Sequence, residues 1–157
     1  MAWTVVNFGK YKGKGKTLPQ IVFADPDWFF WAVENDAFAG KGSLAAEAKL
    51  IAARARTIRI PGEPVGQSKV RYYVHPPTEK LGNIEVVPAS RGPHHGSSPT
   101  RDSPYFDMSM PRKIAPYDKT GGKFMIGAVK HHVFGNAKTR LTKDLCEGFF
   151  NEPSNFG

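Results

Sequence analysis

Between Thr17 and Asn35 apolar side chains fall on nearly every side of the chain, culminating in Trp28-Phe-Phe-Trp-Ala-Val33. A helix with no polar stripe has to be buried, because no single apolar face would cover it. The punctuation predicts two helices in succession. Thr17 caps a short one whose first turn tolerates Pro19, and Asp25-Pro26 restarts the helix with Asp25 as N-cap and Pro26 at the first helical position. The aromatic run Trp28 to Trp31 is assigned to the core of this module. After the break Gly40-Lys-Gly42, Ser43 is expected to cap an amphipathic helix reaching about Arg56. Leu44, Ala48, Ile51, Ala52 and Ala55 share its inner face, with Lys49, Ala53 and Arg56 opposite as an ordinary solvated face.

From Thr57 the pattern changes to alternation and turns. Thr57-Ile-Arg-Ile60, Lys69-Val-Arg-Tyr-Tyr-Val74 and Asn83-Ile-Glu-Val-Val87 read as strands of a small antiparallel sheet, separated by Pro- and Gly-bearing turns. In the middle strand Val70, Tyr72 and Val74 share one face, and Lys69, Arg71 and Tyr73 the other. Residues 89–104 have almost nothing apolar to bury and read as a flexible loop, disordered or an arm that orders on a partner. Tyr105 to Met110 alternates as a short strand. Lys123 to Phe134 suits a helix, and Thr142 caps a final helix through Phe150 that Pro153 ends. The expected fold is α+β, an N-terminal hairpin-plus-helix module packed with a small antiparallel sheet and C-terminal helices. Residues 1–40 form the module and residues 41–157 the remainder, expected to make one compact unit with it.

Charge adds a second layer. The 157 residues carry 22 Lys and Arg against 14 Asp and Glu, a formal +8, with a sequence pI near 9.7. Such a balance favours a negatively charged partner. The first acid is Asp25, so the first 24 residues stand at +4, and Arg112 to Lys143 holds eight cations against Asp118 alone. The run Phe8-Gly-Lys-Tyr-Lys-Gly-Lys-Gly-Lys16 concentrates this charge. In an extended strand Lys10, Lys12, Lys14 and Lys16 would project from one face, with Tyr11 and the glycines behind. Clustered ammonium groups suit a phosphate backbone, which neutralises them and releases counterions; the same run also suits a lysine-protected sheet edge.

The candidate nucleic-acid contacts are therefore Lys10, Lys12, Lys14 and Lys16, with Arg71, Lys123, Lys130 and Arg140 as further cations, and Tyr11 and Tyr73 as stacking rings. No catalytic residue, metal or cofactor is assigned. The doublets His94-His95 and His131-His132 lack metal-ligand spacing, and His95, His132 and Asp102 are the weak candidates. Asp27, Glu47 and Lys49 imitate a magnesium-nuclease motif, but Glu47 and Lys49 fall in a helical pattern where i and i+2 diverge. Thr120-Gly-Gly-Lys123 lacks the spacing of a phosphate loop and reads as a turn. Cys146 reads as a buried structural thiol. Apolar runs are too short to span a bilayer, and with a lone cysteine and no leader pattern the chain is expected in the cytoplasm, without a membrane partner.

Phe8-Gly-Lys-Tyr-Lys-Gly-Lys, followed by Thr17-Leu18, Ile21, Asp25-Pro26, Trp28 and Trp31, resembles a small module found at the C-terminal end of exonuclease X-like proteins. It also resembles short standalone phage and prophage proteins of the quorum-sensing-regulated virulence factor type. The likeness covers about thirty residues; Gly15-Lys16 departs from it as an insertion, and residues 58–157 resemble no family. The resemblance implies an accessory nucleic-acid-handling module without its own active site. The chain is thus expected to be a non-enzymatic, low-specificity binder of DNA or RNA. The alternatives are a phage-encoded protein-interaction factor, acting on a host complex or forming part of a virion with a host or phage protein as partner, and a metal-dependent nuclease.

Overall fold

The Thr17 cap forms. In the computed structural model, which describes residues 1–157, the Thr17 amide donates to Gln20 Oε1 at 3.1 Å, so a side chain within the first turn returns to satisfy the capping residue. Helix α1 runs Leu18–Ala24 with Pro19 in its first turn. Asp25 then ends α1 and starts α2, Pro26–Glu34, its Oδ1 accepting from the Trp28 amide at 3.2 Å. Helix α3 spans Ser43–Ala55, but Ser43 is not its cap. Gly42, at φ +62°, delivers the chain straight into the helix. The Ser43 hydroxyl meets Thr4 Oγ1 at 2.8 Å instead, while Glu47 Oε1 accepts from the Thr4 amide at 2.8 Å. The start of α3 thereby holds the N-terminal segment.

Strands β1, Ser68–His75, β2, Lys80–Pro88, and β3, Thr100–Ser103, form an antiparallel sheet in the order β2-β1-β3. Val70 lies opposite Val86 and Tyr72 opposite Ile84, and Arg71 faces Asp102 across the β1–β3 pair. Helices α4, Met110–Ile114, α5, Lys119–His132, and α6, Lys143–Asn151, complete the chain. Helix α5 packs along β2, and α6 packs on α1. The α+β class and the antiparallel sheet agree with the sequence pattern.

Four expected elements differ. The strand expected at 57–60 is reduced to Ile58, which bridges Phe106 on one side and Phe156 on the other. The strand expected at 105–110 goes no further than Phe106, because Asp107 Oδ1 accepts from both the Ser109 amide and hydroxyl, at 2.9 and 2.6 Å, and turns the chain into α4. Within the 89–104 loop, Thr100–Ser103 pairs with β1 as β3. The turn expected at Thr120–Lys123 lies within the first turns of α5.

One apolar cluster of 28 buried residues runs from Trp3 to Phe156, so the N-terminal module and the sheet region share a single core. Phe23 from α1, Phe149 and Phe150 from α6, and Phe156 from the C-terminal turn meet with ring centroids 5.2–5.6 Å apart, each aromatic pair adding about 0.5–1.5 kcal/mol beyond its buried area. Tyr72 brings the one phenol of the core. Its hydroxyl donates to the Tyr105 carbonyl at 3.3 Å and accepts from the Asp107 amide at 2.8 Å, and burial pushes its pKa upward so that it stays neutral. Tyr72→Phe strands that amide and carbonyl. The expected loss is about 1–3 kcal/mol of unfolding free energy, read as a lower urea midpoint with an unchanged slope.

Candidate nucleic-acid interface

The glycines decide the shape of the lysine run. Gly9, Gly13 and Gly15 sit at φ +61°, +74° and +67°, a region that side-chain-bearing residues avoid. They fold the run into successive turns rather than a ribbon. Gly9–Tyr11 is a 3₁₀ turn, the Lys14 amide reaches the Tyr11 carbonyl at 3.1 Å, and the loop closes where the Val6 amide donates to the Lys16 carbonyl at 2.8 Å. Val5 bridges Thr17 at its base, so a hairpin-like closure exists while the expected alternation of lysines on one face does not.

The four lysines separate accordingly. Lys10 Nζ is paired with Asp25 Oδ2. Lys12, Lys14 and Lys16 are exposed, and none has a carboxylate within salt-bridge distance. Tyr11 is half-buried, its ring set edge-on against Trp28 with centroids 4.9 Å apart. Burial, reinforced by the Asp25 carboxylate, pushes its phenol up to about 12. It is a post that holds the loop to α2. Lys16 stands near α6, where its charge opposes the rise of the Cys146 thiol, which burial drives up to about 11.

Asp25 also borders a cleft of about 150 Å³ lined by Pro26, Asp27, Lys119, Gly122, Lys123 and Ile126. Through Lys10, paired to Asp25, the first basic segment thus approaches Lys119 and Lys123 of the second across a cleft that also holds Asp27. Helix α5 owes its start to Asp118, whose Oδ1 accepts from the Gly121 amide at 2.8 Å. A Cβ on Gly121 would come within 2.3 Å of that carboxylate, which explains the glycine. Met125 and Val129 form the buried stripe of α5; Lys119 and Lys123 are exposed and Lys130 is half-buried, all without carboxylate partners. Arg140 is exposed in the loop leading into α6.

Arg71 and Tyr73 lie elsewhere. Val70 and Tyr72 face the core, so Arg71 and Tyr73 point to the opposite side of the sheet. Arg71 is only 3 % exposed. Its guanidinium grips Asp102 through Nε and Nη2, at 2.9 and 3.0 Å, and donates to the Gly92 carbonyl at 2.8 Å. Lys69 reaches the Arg91 carbonyl at 2.6 Å, the Tyr73 hydroxyl donates to Glu85 at 2.6 Å, and the Tyr73 ring meets His94 at 5.0 Å. Residues 91–95 thus form a strap over the basic strand face, and Arg71 is withdrawn from any ligand by its own loop. Asp102 is the only acid between 89 and 104; that isolation, opposite two cations spaced i and i+2 on a strand, is the signal from which the pairing was readable.

The metal-ligand candidates are not brought together. Asp102 is held by Arg71 and Lys69, and His132 stacks on Phe106 at 5.5 Å, where burial and then His131 lower its pKa. Asp27 pairs with Arg112 and Glu47 with the Thr4 amide. No group of three or more His, Cys, Asp or Glu side chains is placed to hold a metal ion, and no helix is long and apolar enough to cross a membrane. Two aromatics that the sequence pattern passed over stand out instead. Tyr117 and Phe124 are 68 % and 47 % exposed, within the second basic segment. Phe124 is one position off the Met125–Val129 stripe, a helical offset that points it away from the core.

The strap makes a pH prediction. The Arg71 guanidinium, chiefly by hydrogen bonding, holds the Asp102 carboxyl below its ordinary value of 3.8. A depressed carboxyl contributes stability above its unfolded value and loses it as pH falls through the folded one. Asp102→Asn is expected to lower stability at neutral pH and to flatten its decline below about pH 4, measured by thermal unfolding across an acid series. Compared with known proteins, the chain matches no family model, no curated protein and no solved structure.

Proposed function

We propose that this chain is a non-enzymatic, low-specificity nucleic-acid-binding accessory protein. The observation that carries the reading is the set Lys12, Lys14 and Lys16, exposed on a glycine-shaped loop without carboxylate partners. Beside it, across Asp25, stand Lys119 and Lys123, and further along the second basic segment Lys130 and Arg140. Exposed ammonium groups without carboxylate partners are neutralised by a phosphate backbone, which releases counterions as they bind. Lysine meets phosphate as a point charge and reads no base edge, so sequence preference is low. The resemblance of the first thirty or so residues to the module of exonuclease X-like and phage proteins supports the same reading, with a phage or prophage setting. Arg71 and Tyr73 have no part in it, being bound to Asp102 and Glu85, and Lys10 and Tyr11 position the loop.

A second reading, a protein-interaction factor, is favoured by one feature. A groove of about 420 Å³ between the end of α2 and α3 has an apolar floor that includes Val33, Phe38 and Ala52, with Asp36, Lys49 and Arg56 also lining it. A host or phage protein seated there would persist after nuclease treatment, whereas partners bridged by nucleic acid would be lost.

The test is a titration of labelled DNA and RNA at several salt concentrations, with the native chain and with Lys12, Lys14 and Lys16 together changed to Ser. Affinity of the native chain is expected to fall with salt. In the triple variant the slope of log K against log salt should become shallower by about 2–3, since each phosphate contact contributes roughly 0.7–0.9. An unchanged slope would remove the loop from the interface.

A further inference from the structure

Tyr117 is an exposed aromatic held in a backbone conformation, φ +62°, that residues with a Cβ rarely adopt. Core packing does not explain it, since 68 % of the residue is exposed. What holds it is a small polar network. Asp27 Oδ1 accepts from both the Tyr117 amide and Arg112 Nη1, each at 3.2 Å, and Glu34 holds Arg112 Nε at 2.9 Å. Arg112 thus fixed, its guanidinium lies 5.3 Å from the centroid of the Tyr117 ring. A strained residue pinned by three charged side chains is a position the surrounding structure over-determines, and such positions gather at ligand sites. Two residues later α5 begins. Lys119 and Lys123, four apart on one helix face, line the cleft with Asp25 and Asp27, and Phe124, the next residue of α5, is exposed.

An exposed ring backed by an ion-paired guanidinium, just ahead of a helix whose Lys119 and Lys123 make no salt bridge, suits a chain of anionic phosphates carrying unpaired bases. A duplex hides its base faces in its own stack; a single strand offers them. Resting on the cationic interface proposed above, we infer that Tyr117 is a base-stacking platform, with Phe124 as a second, and that the protein prefers single-stranded to duplex nucleic acid. The Arg112 guanidinium backs the Tyr117 ring, Lys119 and Lys123 take phosphates, and because every base has a π-face the platform is indifferent to sequence.

Fluorescence anisotropy with a labelled oligothymidylate and a duplex of equal length separates the two claims. The single strand is expected to bind about tenfold more tightly at the same salt, and Tyr117→Gly to remove about that factor for the single strand alone, leaving the duplex affinity and the salt slope as they were. Glycine is chosen because it adopts positive φ freely, so the fold is kept, as thermal unfolding would verify; Tyr117→Trp should restore binding and Phe124→Ser should weaken it. Equal affinity for both forms, indifferent to Tyr117→Gly, would overturn the stacking platform while the cationic interface stands. No salt-dependent binding to either form would overturn both.

Discussion

The Asp25 carboxylate is the constraint on which the proposed surface depends. One oxygen caps α2 through the Trp28 amide, and the other receives the Lys10 ammonium and faces the Tyr11 hydroxyl at 3.5 Å. A single side chain therefore ends one helix, starts the next and fastens the glycine loop to both. An N-cap of this kind is worth about 0.5–2 kcal/mol, while an ion pair as exposed as Lys10–Asp25 adds at most about 1 kcal/mol. The cap is the larger effect, and the pair chiefly sets where the loop lies. Because the same residue borders the Lys119–Lys123 cleft, charge distant in sequence is gathered into one region.

Asp102 shows the opposite use of a carboxylate. It takes Arg71 and Lys69 at once, and with the strap drawn over the strand face a face rich in cations and rings is covered. Net charge does not distinguish these two outcomes; the position of each acid does. In the first segment one acid serves four lysines and leaves three without partners, whereas on β1 one acid occupies both cations.

Elements with local punctuation were legible in the sequence. Asp25 and Thr142 mark helix starts through side chains that accept from orphan amides, Thr17 through its amide's bond to the Gln20 side chain, and the alternation of β1 and β2 marks the sheet. What escaped was set by non-local or backbone terms. The lysine run reads as a strand only if its glycines are taken as thin spacers, yet three of them adopt positive φ and coil it. The 89–104 segment lacks apolar residues, yet its backbone carbonyls are captured by Lys69 and Arg71, partners twenty residues away that no local pattern names. Tyr11 and Tyr73 looked like stacking rings by composition, but Trp28 and His94 already face them. Phe124 was overlooked because its exposure follows from the face that α5 turns to β2, and Tyr117 because its position is set by Asp27, ninety residues away in sequence.

The most direct measurement is a map of backbone and lysine-ammonium NMR shifts on titration with a short oligonucleotide. The account predicts perturbations on both sides of Asp25, at Lys12, Lys14 and Lys16 and at Lys119 and Lys123, with the Arg71–Tyr73 strand face and its strap unmoved. Perturbations centred on that strap, or none at the glycine loop, would contradict it.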